Sequence, residues 1–348
     1  MMNRRRLGIV LASLSAVLIV VAGVLAYDLL FTGAPGTPGS PATPGPSGGG
    51  GGPCTAASPY GFTTINADNQ LVTLYRQLNV CWVRLQVHED QIQVRPGVYN
   101  WSNLDAAVAT LNAAGIHIDF PLECFGGSCF SHPRKPTIAQ MTRYATAVAT
   151  RYDGTHGHGK IDAFEIGNEE YDFFDPAAYG PLLKAGYQAI KAVYPGATVG
   201  MYGTFNQSLA HIQAVMQSVA NGYSSYLDFA NFHYYAHGGD PRITESNHPS
   251  FNEEWQAIHS ILPNKPIWVT EVGWTTTPLA GMQVVSPQTQ AEYLQYVTEQ
   301  AAASGVIQRI FWFTINYGNQ GDTVYPPSGP KPAFYTLKAL VQQRPLWN

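Results

Sequence analysis

Residues 161–170 read IDAFEIGNEE. Apolar residues alternate, Ile161 and Ala163 against Phe164 and Ile166, which predicts a short strand running directly into Asn168 and Glu169. About a hundred residues further on, 266–274 read PIWVTEVGW, a second apolar strand that delivers Glu271 in the same way. Two glutamates at the C-terminal ends of strands, in a chain that alternates strands with helices, point to a barrel enzyme with paired carboxylates.

Working outward, the alternation continues in both directions. Strands are expected at 60–65, 81–87, 116–122, 197–203, 228–235 and 307–315 as well as at the two stretches quoted. Helices fall between them. Residues 68–78 place Leu71, Leu74, Tyr75 and Leu78 on one face, 103–114 stop at Gly115, and Thr137 caps a helix to about 152. Others follow Pro176, span about 207–220 and 251–262, open at Pro287, and close the chain at 333–341. Eight strand–helix pairs predict an α/β fold, a (β/α)8 TIM barrel over residues 54–348, with its site on the face where the strands end.

The first 53 residues stand apart. Arg4, Arg5 and Arg6 precede an apolar run from 7 to about 26. About twenty apolar residues suffice to span a bilayer, with the arginines on the cytoplasmic side. Residues 1–31 are therefore expected to be a signal anchor or a cleaved signal peptide, since small residues near 24–26 also suit a cleavage site. Residues 32–53, rich in Pro, Gly and Ser, have no periodicity and read as a flexible tether. Both expectations place the barrel outside the cytoplasm, secreted or held to the membrane through the N-terminal helix.

That compartment favours disulfides. Cys124 and Cys129 are close enough in sequence to staple one loop, and Cys54 could pin the start of the domain to Cys81. No Cys-x-x-Cys occurs, so a zinc site is not expected. Charged residues are 12% of the chain and the net charge is -4, which excludes a basic nucleic-acid-binding surface. Twenty Tyr and seven Trp suit a surface that stacks on sugar rings, although Trp101, Trp255 and Trp268 read as packing. No cofactor or metal is expected, and the chain is expected to be a monomer.

The strand ends carry Arg84, Glu123, Asn168, Glu169, His233, Tyr235, Glu271 and Trp312. Polar groups gathered at one mouth are costly unless they pair with each other or with a ligand. Glycosidic bond cleavage requires one carboxylic acid to protonate the leaving oxygen and one carboxylate to attack or to activate water. Glu169 and Glu271 can supply both. Arg84 would keep Glu271 ionised, Tyr235 would donate a hydrogen bond to it, and burial would raise Glu169. Trp312 offers a flat face for a sugar, and Trp274, just past a strand end, is a candidate substrate contact. Glu165 and Glu170 read as structural. His156 and His158 lie in a Gly-rich turn that reads as a solvated loop. His233 and His237, four apart but on a strand and loop, lack zinc-helix geometry.

The order W-V-R, N-E, H-x-Y, T-E-x-G-W and a Trp near the last strand end resembles the retaining glycoside hydrolases of clan A. Residues 88–108, HEDQIQVRPGVYNWSNLDAAV, are similar to the second-strand loop of its β-xylosidase and iduronidase members. The Ile-Gly before Asn168 is more similar to the arabinofuranosidase and heparanase-like branches. N-E-E stands where N-E-P is common. The resemblance implies Glu169 as acid/base, Glu271 as nucleophile and Asn168 on the substrate 2-hydroxyl. It also implies Arg84 and Tyr235 serving Glu271, and His233 beside the acid/base. The activity it implies is hydrolysis of O-glycosidic bonds in a β-linked polysaccharide or oligosaccharide by double displacement. The alternative is a catalytically silent barrel that binds carbohydrate or attaches to a cell wall.

Overall fold

The computed structural model describes residues 54–125, 134–205, 208–245, 248–279, 281–318 and 320–347. The expected N-terminal anchor or signal, the tether and Cys129 lie outside the described residues. Among the described residues no helix is long and apolar enough to cross a membrane.

Eight parallel strands form the barrel: β1 (Tyr60–Thr64), β2 (Trp82–Leu85), β3 (His117–Pro121), β4 (Ala163–Glu165), β5 (Thr198–Gly200), β6 (Ala230–Tyr234), β7 (Ile267–Val272) and β8 (Ile307–Trp312). They pair in the order β5-β4-β3-β2-β1-β8-β7-β6. The ring closes through an interrupted fifth strand. β5 pairs with β4, while its continuation Thr204–Phe205 pairs with β6, and a bridge joins Gly200 to Phe229. The strand expected at 197–203 therefore ends at Gly200, and a second short piece begins beyond it at Thr204. Glycines stand where the two parts meet their neighbours: a Cβ on Gly200 would lie 2.3 Å from the Phe229 ring, and one on Gly203 would lie 2.3 Å from His233 Nε2.

Helices α1 (Asn69–Leu78), α2 (Ser102–Ala113), α3 (Ile138–Arg151), α4 (Gly180–Val193), α5 (Leu209–Ala220), α6 (Phe251–Ile261), α7 (Pro287–Ser304) and α8 (Pro332–Gln343) follow the strands in turn. Their starts obey local chemistry. Asp68 accepts from Leu71 N at 2.7 Å, and Thr137 with Gln140 and Ser250 with Glu253 form capping boxes that satisfy otherwise orphaned N–H groups. Gly115 ends α2 and Gly305 ends α7 at positive φ, where a side chain would be strained.

Alternation along each strand divides the core in two. Outward residues such as Phe62, Val83, Leu85, Ile310 and Trp312 pack beneath the helices in one continuous apolar cluster. Inside the barrel, Trp82, Ala163, Phe229, Trp268 and Phe311 form a smaller cluster, with Phe229 and Trp268 stacked at 3.9 Å. Cys81 belongs to this cluster and is disulfide-bonded to Cys54, as expected, tying the start of the domain to β2. No cysteine among the described residues is free.

Candidate active site

Above the apolar plug, the next inward positions are polar. Arg84, two residues past Trp82 on β2, is fully buried and acts as the hub. Its Nε and Nη2 donate to the two oxygens of Glu165 at 2.7 and 3.0 Å. Nη1 donates to Glu271 Oε1 at 2.6 Å, and Nη2 also donates to Asn168 Oδ1 at 2.8 Å. A guanidinium this deep is tolerable only when nearly all its donors are matched to anionic or polar acceptors. Glu165 therefore does more than the sequence suggested: on the inner face of β4, it is the forked partner that fixes Arg84. Asp119, adjacent on β3, is buried beside it, and burial together with the Glu165 charge raises its carboxyl well above the usual range.

Glu271 reaches the interior through an irregularity. Thr270 already faces inward, where Asn231 Nδ2 donates to its Oγ1 at 3.2 Å, so strict alternation would turn Glu271 out. The register of β7 against β6 slips between Val269 and Glu271, and the bulge re-aims the carboxylate. Arg84 then holds Oε1, and the Tyr235 hydroxyl donates to Oε2.

Glu169 opens a short 3-10 turn (Glu169–Phe173) beyond β4. Its Oε1 lies 2.6 Å from His233 Nδ1 on β6. Glu169, His233 and Glu271 each present one atom within 4.8 Å of the others, so the two carboxyls approach closely. The surroundings of the two acids differ. Burial, then the negative charge of Glu271, pushes Glu169 well above the usual carboxylate range. Burial also raises Glu271, but Arg84 and the Tyr235 hydrogen bond pull it back. Burial and the nearby Arg84 depress His233 well below its ordinary value, so the imidazole is neutral at neutral pH.

The structure thus brings Arg84, Asn168, Glu169, His233, Tyr235 and Glu271 together. Two expected sugar contacts are elsewhere. Trp312 is fully buried on the outer face of β8, against Tyr60 and Phe62, with Nε1 donating to Thr298 of α7 at 3.1 Å. Phe311 occupies the inward position, so period two turns Trp312 toward the helices. Trp274 is also fully buried, packed against Tyr234 and Tyr293, with Nε1 donating to Gly239 O at 2.9 Å. The part-exposed rings beside Tyr235 are Phe205 and Phe313, with centroids 5.6 and 6.0 Å from it. Phe313, two residues past Phe311, was available from the alternation. Phe205 was hidden by the split strand.

A second group of potential metal ligands comprises His88, Glu123 and Cys124. Cys124 is disulfide-bonded, so it has no thiolate to offer an ion. In the first group, Glu271 is already held by Arg84 and Tyr235, and Glu169 by His233.

Comparison with known proteins bears on the fold and the family. The family model of a glycosyl hydrolase catalytic core matches residues 178–328, a segment that holds His233, Tyr235 and Glu271. No curated protein sequence matches the chain. Among solved structures, a glucosidase from Croceicoccus marinus aligns with a TM-score of 0.62 at 15% identity, covering 82% of this chain and 67% of that one. Xylanase 10B from Thermotoga petrophila, solved with xylobiose, gives 0.59 at 13% identity over 83% and 95%. An endo-β-1,3-glucanase from Amycolatopsis mediterranei, solved with laminaritriose, gives 0.51 at 17% identity over 81% and 99%. At these identities the likeness to the solved structures is one of fold, and it is the (β/α)8 barrel. Together with the family match, it fits the clan A glycoside hydrolase resemblance drawn from the sequence motifs.

Proposed function

We propose that the chain is a retaining glycoside hydrolase acting outside the cytoplasm on a β-linked polysaccharide or oligosaccharide. The observation that carries this reading is the Glu169–Glu271 pair, with carboxylate oxygens within 4.8 Å of one another and Glu169 raised more strongly than Glu271, which Arg84 and Tyr235 pull back. Retaining enzymes hold their two carboxyls about 5–5.5 Å apart, whereas inverting ones leave about 6.5–9.5 Å for a water. Glu271, held by Arg84 and Tyr235, attacks the anomeric carbon. Glu169 gives its proton to the departing oxygen. Water then attacks the glycosyl-enzyme while Glu169 takes back a proton, restoring both acids.

Two neighbours prepare these roles. Asn168 gives its carbonyl oxygen to Arg84, which leaves its amide N–H groups free for a sugar hydroxyl. His233 Nε2 has no partner among the described residues. A bare nitrogen there costs less than an unmatched N–H, so the tautomer with the proton on Nδ1 is favoured and donates to Glu169 Oε1. The acid proton of Glu169 then belongs on Oε2, away from the histidine.

The extracytoplasmic placement is supported by the basic and apolar character of residues 1–31, the tether at 32–53 and the Cys54–Cys81 disulfide. The test is reducing-sugar release by the full chain on xylan, mannan, β-glucans, arabinan and bacterial wall glycans, with Glu271→Ala in parallel. Release on one polymer that the variant abolishes is expected. Binding without release, or release that survives the substitution, would instead favour a silent carbohydrate-binding barrel or another nucleophile.

A further inference from the structure

The turn that carries Glu169 also carries an acid that the proposed reaction does not use. Glu169 opens the 3-10 turn Glu169–Phe173, and Asp172 follows in the same turn. The Asp172 side chain is 2% exposed. Two donors and an imidazole nitrogen from beyond the turn converge on it. Oδ2 accepts from Phe205 N at 2.7 Å, and Oδ1 accepts from the Tyr202 hydroxyl at 3.0 Å and lies 3.1 Å from His211 Nε2. Phe205 belongs to the second piece of the fifth strand, Tyr202 to the segment between the two pieces, and His211 to α5.

A short 3-10 turn has poorer hydrogen-bond geometry than an α-helix and does little to fix its own course. Inside this one, Tyr171 N donates to Asn168 O and Phe174 N to Tyr171 O, each at 3.1 Å. The second piece of the fifth strand constrains it from two sides. Through Phe205 N it holds Asp172, and Phe205 pairs in register with His233, whose Nδ1 lies 2.6 Å from Glu169 Oε1. Glu169 is therefore spanned between two contacts that both lead back to Phe205. The Phe205 ring stands 5.6 Å from that of Tyr235, which donates to Glu271. One short strand thus references both acids.

We propose that Asp172 is the positioning residue of the acid/base: by tying the Glu169 turn to Phe205, it sets the Glu169 carboxyl where the departing oxygen needs its proton. This rests on the glycosidase reading of the site. Asp172 acts through the backbone of the turn and takes no part in bond making. A misplacement of about 1 Å at a reacting group can cost roughly a hundredfold in rate. The loss here is selective. A 2,4-dinitrophenolate departs without a proton, whereas a phenolate departs readily only when an acid donates one. Breaking the tie therefore penalises poor leaving groups and spares good ones. Attack by Glu271 continues, because Arg84 and Tyr235 hold that carboxylate separately.

The test assays the full chain on the phenyl and 2,4-dinitrophenyl glycosides of the mono- and disaccharides that it releases from the polymer panel above. kcat/KM covers the steps up to departure of the leaving group, so the 2,4-dinitrophenyl to phenyl ratio of kcat/KM reads the proton donation. Asp172→Ala should raise that ratio about tenfold or more, in the direction set by Glu169→Ala, while thermal melting shows the variant folded. Where Asp172→Ala does not fold, Tyr202→Phe combined with His211→Ala strips two of the three contacts and should raise the ratio about threefold or more. A folded variant whose ratio stays at the parent's value, with both substrates slowed alike or neither slowed, would overturn the proposal. The glycosidase reading would survive that result if Glu169→Ala still raised the ratio. A chain that releases no sugar from any polymer, or a ratio that Glu169→Ala leaves unchanged, would overturn that reading and this proposal with it.

Discussion

At the level of single residues, the proposed reaction needs two acids of one chemical type kept in different states. Activity needs Glu271 ionised and Glu169 protonated, so the acid limb of the pH profile belongs to Glu271 and the alkaline limb to Glu169. Glu169 is raised the more strongly, which places its limb above that of Glu271 and leaves a working window between them. Arg84 is what keeps the lower limb low. Arg84→Lys keeps a charge but loses the fork onto Glu165 and at least one of the bonds to Asn168 and Glu271. The acid limb of kcat/KM should therefore move to higher pH. A charge-assisted hydrogen bond contributes about 1.5–3 kcal/mol, so kcat/KM at the optimum should fall roughly tenfold to a hundredfold. Steady-state kinetics across pH 4–8 would check this, and an unmoved acid limb would show that Arg84 does not set the Glu271 ionisation.

At the scale of elements, the site depends on two departures from regular strands. The slip at Thr270 turns Glu271 inward, and the break in the fifth strand makes room for His233. Gly203→Ala would set a Cβ 2.3 Å from His233 Nε2, so the imidazole must move off Glu169. We expect kcat/KM to fall about tenfold or more, with a stability loss of about 1–3 kcal/mol typical of overpacking, separable by thermal melting. Unchanged kinetics would mean that the His233–Glu169 contact is dispensable. These departures also mark where the sequence stops being informative. Arg84, Glu169, His233, Tyr235 and Glu271 were legible because each ends a strand. Trp312 was misplaced because its strand-end position was weighed above the alternation that turns it away from inward Phe311, and Trp274 because its packing against Tyr234 and Tyr293 is set only in three dimensions. Glu165 was undervalued because its partner lies on another strand, 81 residues away.

At the scale of the whole molecule, eight strand–helix pairs were readable from apolar periodicity and helix caps, and the ring of parallel strands follows from them. Its closure through two short pieces of β-structure was not readable, since three- and two-residue segments carry no periodic signal. The barrel gives the site its precision by splitting the core: an aromatic plug of Trp82, Phe229, Trp268 and Phe311 closes the lower interior, and the polar layer rests on it. We propose that this layer performs double displacement with Glu271 as nucleophile. The most direct measurement incubates the full chain with 2-deoxy-2-fluoro β-glycosides of the sugar it hydrolyses and locates the trapped glycosyl group by peptide mass spectrometry. One glycosyl addition is expected, on Glu271. A label on Glu169 or another residue, or turnover with inversion at the anomeric carbon and no label, would contradict it.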